Sequence, residues 1–232
     1  MVAASCSAAA TEEIAETAAG EPAILALGDS MFEWNVSTGE SIPEVIGDVL
    51  DRPVLNAAVG GAHFSDATPV DGGEASDIRA QYVRGDWAWV VLEGGANDLH
   101  DDCGCGACAK VLDDLVSADG RTGEIPDFVR TLAADGTRVM VVGYYAVPSD
   151  AEFGFDRCVD EVAEQGRRLQ AMAAAFEGVW FVSAADVVTA DERGAYAQDR
   201  VHPSPVGARL IGEHVAATIQ HAERNPTTGG ES

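Results

Sequence analysis

Ala23-Ile24-Leu25-Ala26-Leu27 runs without interruption into Gly28-Asp29-Ser30. An apolar run with no polar residue at alternate positions reads as a strand covered on both faces. The glycine that closes it lets the chain turn sharply. Outward from this segment the pattern repeats. Pro53–Val59, Trp87–Leu92, Arg138–Tyr145 and Val179–Ser183 are further strand candidates, rich in Val and Trp. Helical patterns lie between them. One starts near Ser41, where Ser41 and Glu44 have capping-box spacing and Pro43 falls in the first turn. The others are Ser76–Arg84, Ala107–Ser117, Ile125–Asp135, Asp156–Phe176 and Pro205–Glu223. Strand and helix alternate along the chain, which predicts a three-layer α/β/α sandwich on a mostly parallel sheet.

The chain has 232 residues, a length that suits one domain burying about 70% of its unfolded surface. No internal repeat and no second-domain boundary is visible. The expected domain covers 21–224. Residues 1–20 read as a flexible tether and 225–232 as a disordered tail. Ala3-Ala4-Ser5-Cys6 resembles the end of a bacterial lipoprotein signal, in which the cysteine is lipidated. The apolar segment such a signal needs is missing before Cys6. The sequence has no apolar run near the ~18 residues of a membrane-spanning helix.

Acidic residues number 39 against 14 basic ones, a formal charge of -25, and Lys110 is the only lysine. Such a field repels nucleic acid and anionic lipid, which are therefore excluded as partners. It also strains the compact state at low ionic strength, and salt relieves that strain. Adaptation to a salty habitat and a merely acidic surface explain this charge equally well.

Ligands of parallel α/β sheets bind beyond the carboxyl ends of the strands. The chemically useful residues sit there. Ser30 follows the first strand. A serine hydroxyl is a weak nucleophile until a base takes its proton. Asp199-Arg200-Val201-His202-Pro203 supplies such a base, with an aspartate three residues earlier to fix its tautomer. Gly95-Ala96-Asn97-Asp98 offers the Asn97 amide as an oxyanion donor, and the segment from Asn56 to Gly61 offers a backbone N–H. Taken singly, each has a plainer reading. Ser30 would be a helix cap, Asn97-Asp98 a turn and Asp199–His202 a surface pair. Together, in order and each behind a suitable strand or before the last helix, they favour catalysis. Asp29 and Asp98 read as structural, bonding loop backbone. His63, His100, His214 and His221 receive no role; His100 is near enough to Asn97 to line a pocket, but a solvated loop histidine is the simpler reading.

These blocks, spread from Gly28 to His202, resemble those of the SGNH hydrolases, also called GDSL-type esterases. The resemblance implies a flavodoxin-like sandwich. It implies Ser30 as nucleophile, His202 as base and Asp199 as its orienting acid. It implies an oxyanion hole of the Ser30 N–H, Gly61 and Asn97, with Gly61 a better match than Gly60. Met31 stands where the family name has Leu, a near-isosteric change. The implied reaction is hydrolysis of small or short-chain esters through an acyl-enzyme, with no cofactor and no metal. The implied partner is a small-molecule ester or an acylated glycan. Carbohydrate O-acetyl esterase or thioesterase activity on the same machinery is the alternative. A non-catalytic surface lipoprotein that keeps the fold as a binding module is the alternative from another class.

Cys103, Cys105, Cys108 and Cys158 allow three readings. A four-thiolate zinc site needs two Cys-x-x-Cys pairs, and only Cys105/Cys108 has that spacing. A redox Cys-x-x-Cys would follow the wrong kind of element. Two disulfides suit an exported protein, and this reading is preferred. Pairing Cys103 with Cys105 would strain a very tight loop, so Cys158 is expected to take Cys103 or Cys105 and Cys108 the other. The expected location is periplasmic or at the cell surface; for Cys6, a lipid anchor and a chance resemblance to a lipoprotein signal stay open as alternatives.

Overall fold

Among the described residues five parallel strands form one sheet in the order β2-β1-β3-β4-β5: β1 (Ala23–Leu27), β2 (Val54–Asn56), β3 (Trp87–Leu92), β4 (Arg138–Gly143) and β5 (Val179–Ser183). The structure, a computed structural model, describes residues 23–65, 76–134 and 136–225. The tether, Cys6 and the tail beyond 225 lie outside the described residues.

Alternation along the strands makes the two cores. Leu25, Leu27, Val90, Leu92, Val139 and Val141 point to one face, and Ile24, Ala26, Trp89, Val91, Met140 and Val142 to the other. The first face is covered by α3 (Ala96–Cys103), α4 (Ala109–Leu115), α5 (Glu124–Ala133) and α6 (Val159–Ala175). The second is covered by α1 (Ser30–Glu33), α2 (Ile42–Leu50) and α7 (Pro205–Arg224). Each large apolar side chain buried this way contributes on the order of 1.5–3 kcal/mol. The expected sandwich and mostly parallel sheet are therefore present.

The strand order places β1 between β2 and β3. The β1–β2 link runs over one face through α2, and the β2–β3 link brings Ala62, Phe64 and Ile78 to the other. A crevice opens where the two links part, at the carboxyl end of β1. Ser30 stands there, at the first position of α1, with Asp29 capping the helix through the Met31 N–H at 2.9 Å.

Some elements differ from the sequence reading. β1, β3 and β5 coincide with it residue for residue, whereas β2 ends at Asn56 and β4 at Gly143. Beyond Asn56 the chain stays tied to β1 only through the Ala57 and Val59 N–H groups. Ser76–Arg84 is not a helix but a 3₁₀ turn at Ile78–Gln81. Ile78 and Gln81 are drawn into the core and the chain leaves extended at Tyr82, so tertiary contacts override local propensity. α3 stands where the sequence pattern offers only a turn at Asn97-Asp98 and a loop beyond it. Its N-cap, Gly95, has φ 107°, and no side chain caps it.

The cysteines form Cys103–Cys108 and Cys105–Cys158 bridges, one of the expected pairings. All four thiols are used, which removes the zinc and redox readings. Among the described residues no helix is long and apolar enough to cross a membrane.

Candidate active site

The one-turn helix α1 brings Ser30 to the crevice, and the loop before α7 brings His202 against it. His202 Nε2 lies 3.0 Å from Ser30 Oγ, and His202 Nδ1 lies 2.8 Å from Asp199 Oδ2. The other Asp199 oxygen accepts the backbone N–H groups of Val201 and His202, at 2.9 and 3.0 Å. Burial works to raise the Asp199 pKa, but these hydrogen bonds, led by the His202 side chain, outweigh it and hold the carboxyl below its ordinary value. Asp199 is thus an anion at neutral pH, suited to holding a donor at Nδ1.

Opposite the histidine stands Asn97, in the first turn of α3. Its Nδ2 donates to the Ala62 carbonyl at 3.0 Å and reaches Asp29 Oδ2 at 3.4 Å. Gly60 donates its N–H to Glu33 at 2.9 Å, while Gly61 takes φ 72°, in the left-handed region that favours glycine. Ser30 occupies the first helical position, where an N–H has no acceptor inside its helix. The structure therefore brings Ser30, His202 and Asp199 into one line of hydrogen bonds, with Asn97 beside the serine turn. The cysteines lie apart from these groups: Cys103 ends α3, and Cys105–Cys158 ties the loop after α3 to the start of α6.

Beneath the nucleophile lies a buried polar floor that sequence reasoning missed. Glu93, 1% exposed, accepts the Asp29 N–H through Oε1 at 2.6 Å. Gln81 clamps Gly28 from both sides, accepting its N–H and donating to its carbonyl, each at 2.8 Å. A Cβ at position 28 would collide with the Glu93 carboxyl, so only glycine lets the turn sit this close. Tyr144 donates to Asp29 Oδ2 at 2.5 Å and accepts the Ala96 N–H at 3.1 Å, bridging the nucleophile turn to α3. An acid directly after an otherwise apolar strand, as Glu93 follows β3, is the one legible sign of this floor. Asp98 bonds loop backbone as expected, through the Phe64 and Ser65 N–H groups, whereas Asp29 caps α1 through the Met31 N–H and meets the Tyr144 and Asn97 side chains. His100 is tied to Asp101 and to the Phe153 carbonyl and stacks on Phe155, rather than standing in solvent. His63 is buried and pairs with Asp101 at 3.0 Å.

Burial, reinforced by the neighbouring Asp29 charge, pushes the Glu93 carboxyl well above the ordinary range. The folded chain then keeps a proton that the unfolded chain releases above about pH 4.3. Stability tied to this group is complete below that pH and declines as pH climbs toward the folded-state value. Glu93→Gln imitates the protonated acid. Its melting temperature should gain on that of the native protein steadily between about pH 5 and pH 8. A gap that stays constant with pH in differential scanning fluorimetry would mean that Glu93 is not held protonated.

A cavity of about 470 Å³, counted to its open mouth, begins at Ser30 and His202. Val147, Pro148, Ala151, Phe155 and Val162 give part of its lining an apolar character.

Comparison places this architecture among the SGNH hydrolase folds. An aryl esterase from M. smegmatis superposes with a TM-score of 0.53 at 17% identity, over 86% of this chain and 99% of that one. A G-D-S-L family protein from Desulfitobacterium hafniense gives 0.56 at 16% identity, over 85% and 99%. A family two carbohydrate esterase from Clostridium thermocellum, solved with cellohexaose, gives 0.57 at 18%, over 88% and 65%. No curated protein matches the sequence. The profile of the GDSL-like lipase/acylhydrolase family matches residues 26–210, and the chain belongs to that family, a family of carboxylic ester hydrolases.

Proposed function

We propose that the chain is a serine esterase for short acyl esters, with Ser30 as nucleophile, His202 as base and Asp199 as the acid that orients it. The observation that carries this reading is the unbroken line from Ser30 Oγ through His202 to Asp199, at 3.0 and 2.8 Å. Ser30 Oγ bonds to the ester carbonyl carbon while its proton passes to His202 Nε2. The oxyanion is met by the Ser30 N–H, the Gly61 N–H and Asn97 Nδ2. The occupied Gly60 N–H supports Gly61 as the second donor. The intermediate collapses, the carbon–oxygen bond to the alcohol breaks, and His202 returns the proton to the leaving alkoxide. Water, deprotonated by His202, then attacks the acyl carbon; the bond from that carbon to Ser30 Oγ breaks, His202 returns the proton to Oγ, and the acid leaves.

The acyl group would enter the apolar pocket walled by Val147, Pro148, Ala151, Phe155 and Val162. An apolar lining on this scale favours an uncharged chain of limited length. Two disulfides support a place in an oxidising, exported setting. The test is a series of p-nitrophenyl esters from acetate through butyrate and octanoate to laurate, with acetylated glucose alongside. kcat/KM should peak at a short chain and fall by octanoate. A peak at laurate would overturn the pocket assignment, and hydrolysis confined to the sugar ester would favour the carbohydrate reading.

A further inference from the structure

Trp34 is a large aromatic, 37% exposed. Its indole lies flat on the His202 imidazole, with ring centroids 3.8 Å apart and planes within 5°. The backbone pins it to the nucleophile: Trp34 caps α1, and its N–H donates to the Ser30 carbonyl at 2.9 Å. The next residue, Asn35, donates through Nδ2 to the Pro203 carbonyl at 3.1 Å. One turn of chain therefore grips the histidine loop at Ser30, Trp34 and Asn35.

The grip has a geometric consequence. The Ser30 and Asp199 hydrogen bonds engage Nε2 and Nδ1, on opposite sides of the ring. They leave the ring free to tip about the line joining those nitrogens. A flat indole against one face removes that freedom. It also has an electrostatic consequence. In the proposed reaction His202 becomes an imidazolium when it takes the proton of Ser30, and again when it takes that of water. The face of an indole carries negative quadrupolar charge and attracts a cation within about 6 Å. The attraction is largest when the proton has moved, so it lowers the barrier rather than tightening substrate binding.

We infer that Trp34 is a positioning residue for the reaction, holding the His202 ring in plane and stabilising its protonated form through the indole face. The inference rests on the proposed pairing of Ser30 with His202. It is tested with Trp34→Leu, which keeps apolar bulk but has no π face, and Trp34→Phe, which keeps a face. kcat and KM are measured with p-nitrophenyl butyrate. The rate of Ser30 inactivation is measured with a small phosphonofluoridate, whose fluoride leaving group is too small to reach Trp34. Trp34→Leu should lower kcat and the inactivation rate together, by roughly five- to thirty-fold, with KM nearly unchanged. Trp34→Phe should recover most of the loss. A Leu variant as active as the native protein would overturn the inference. So would a rise in KM with inactivation unaffected, which would make Trp34 a substrate contact, or a Phe variant as slow as the Leu variant. Retained turnover in Ser30→Ala would instead remove the pairing on which this rests, so the two failures are separable.

Discussion

Ser30→Ala is expected to reduce turnover of a short-chain ester by roughly 10⁴- to 10⁶-fold, the range seen when a serine nucleophile is removed from unrelated hydrolases. The fold should be untouched. Asp29, not Ser30, caps α1, and alanine has the best helix propensity of any residue. The hydroxyl's bond to His202 is worth on the order of 1 kcal/mol. Circular dichroism melts should therefore overlay closely while the chromogenic assay falls to background. A serine-directed phosphonate should label the native protein once, at Ser30, and leave the variant unlabelled. Near-native turnover by the alanine variant would remove Ser30 as the nucleophile.

The second large effect belongs to Asn97. Replacing it with alanine deletes a donor that would serve the oxyanion, whose charge exists only along the reaction path. Losing one such donor costs on the order of 10²–10³ in kcat with little change in KM. Asn97 Nδ2 also donates to the Ala62 carbonyl, so a modest loss of stability should accompany the kinetic one. Tyr144 holds the neighbouring Ala96 N–H in place, which keeps the rest of the α3 start intact. A change confined to KM would make Asn97 a substrate-positioning residue instead.

Much of this was legible in the amino-acid order because some signals are local. The run Ala23–Leu27 closed by Gly28, and Ser41 spaced from Glu44, announce a strand and a capped helix without help from the rest of the chain. The side chains of Ser30, Asn97, Asp199 and His202 could be picked out because each follows a strand or precedes the last helix. Other features come only from contact across long stretches of chain. α3 begins on a left-handed glycine and is polar along much of its length, so neither a cap nor an apolar stripe marks it. Tyr144 reads as one more aromatic at a strand end until Asp29, far back in sequence, meets its hydroxyl. Nothing in the local sequence marks Trp34, whose partner is the loop of His202 far along the chain. Gln81 looks like part of a helix, and its real partner is the backbone of Gly28.

The Cys105–Cys158 bridge spans 53 residues of sequence, a stretch that carries α4, α5 and β4. Closing a loop of that size removes about 4 kcal/mol of chain entropy from the unfolded ensemble in the loop-closure model. The bridge lands between Phe155 and Val162, two members of the apolar pocket wall. On the proposed reading, that wall cannot breathe outward to admit a bulkier acyl chain without working against a covalent tie. Size discrimination would then survive conditions that loosen ordinary side-chain packing, such as heat or mild denaturant, and would relax on reduction, which should lower the melting temperature as well.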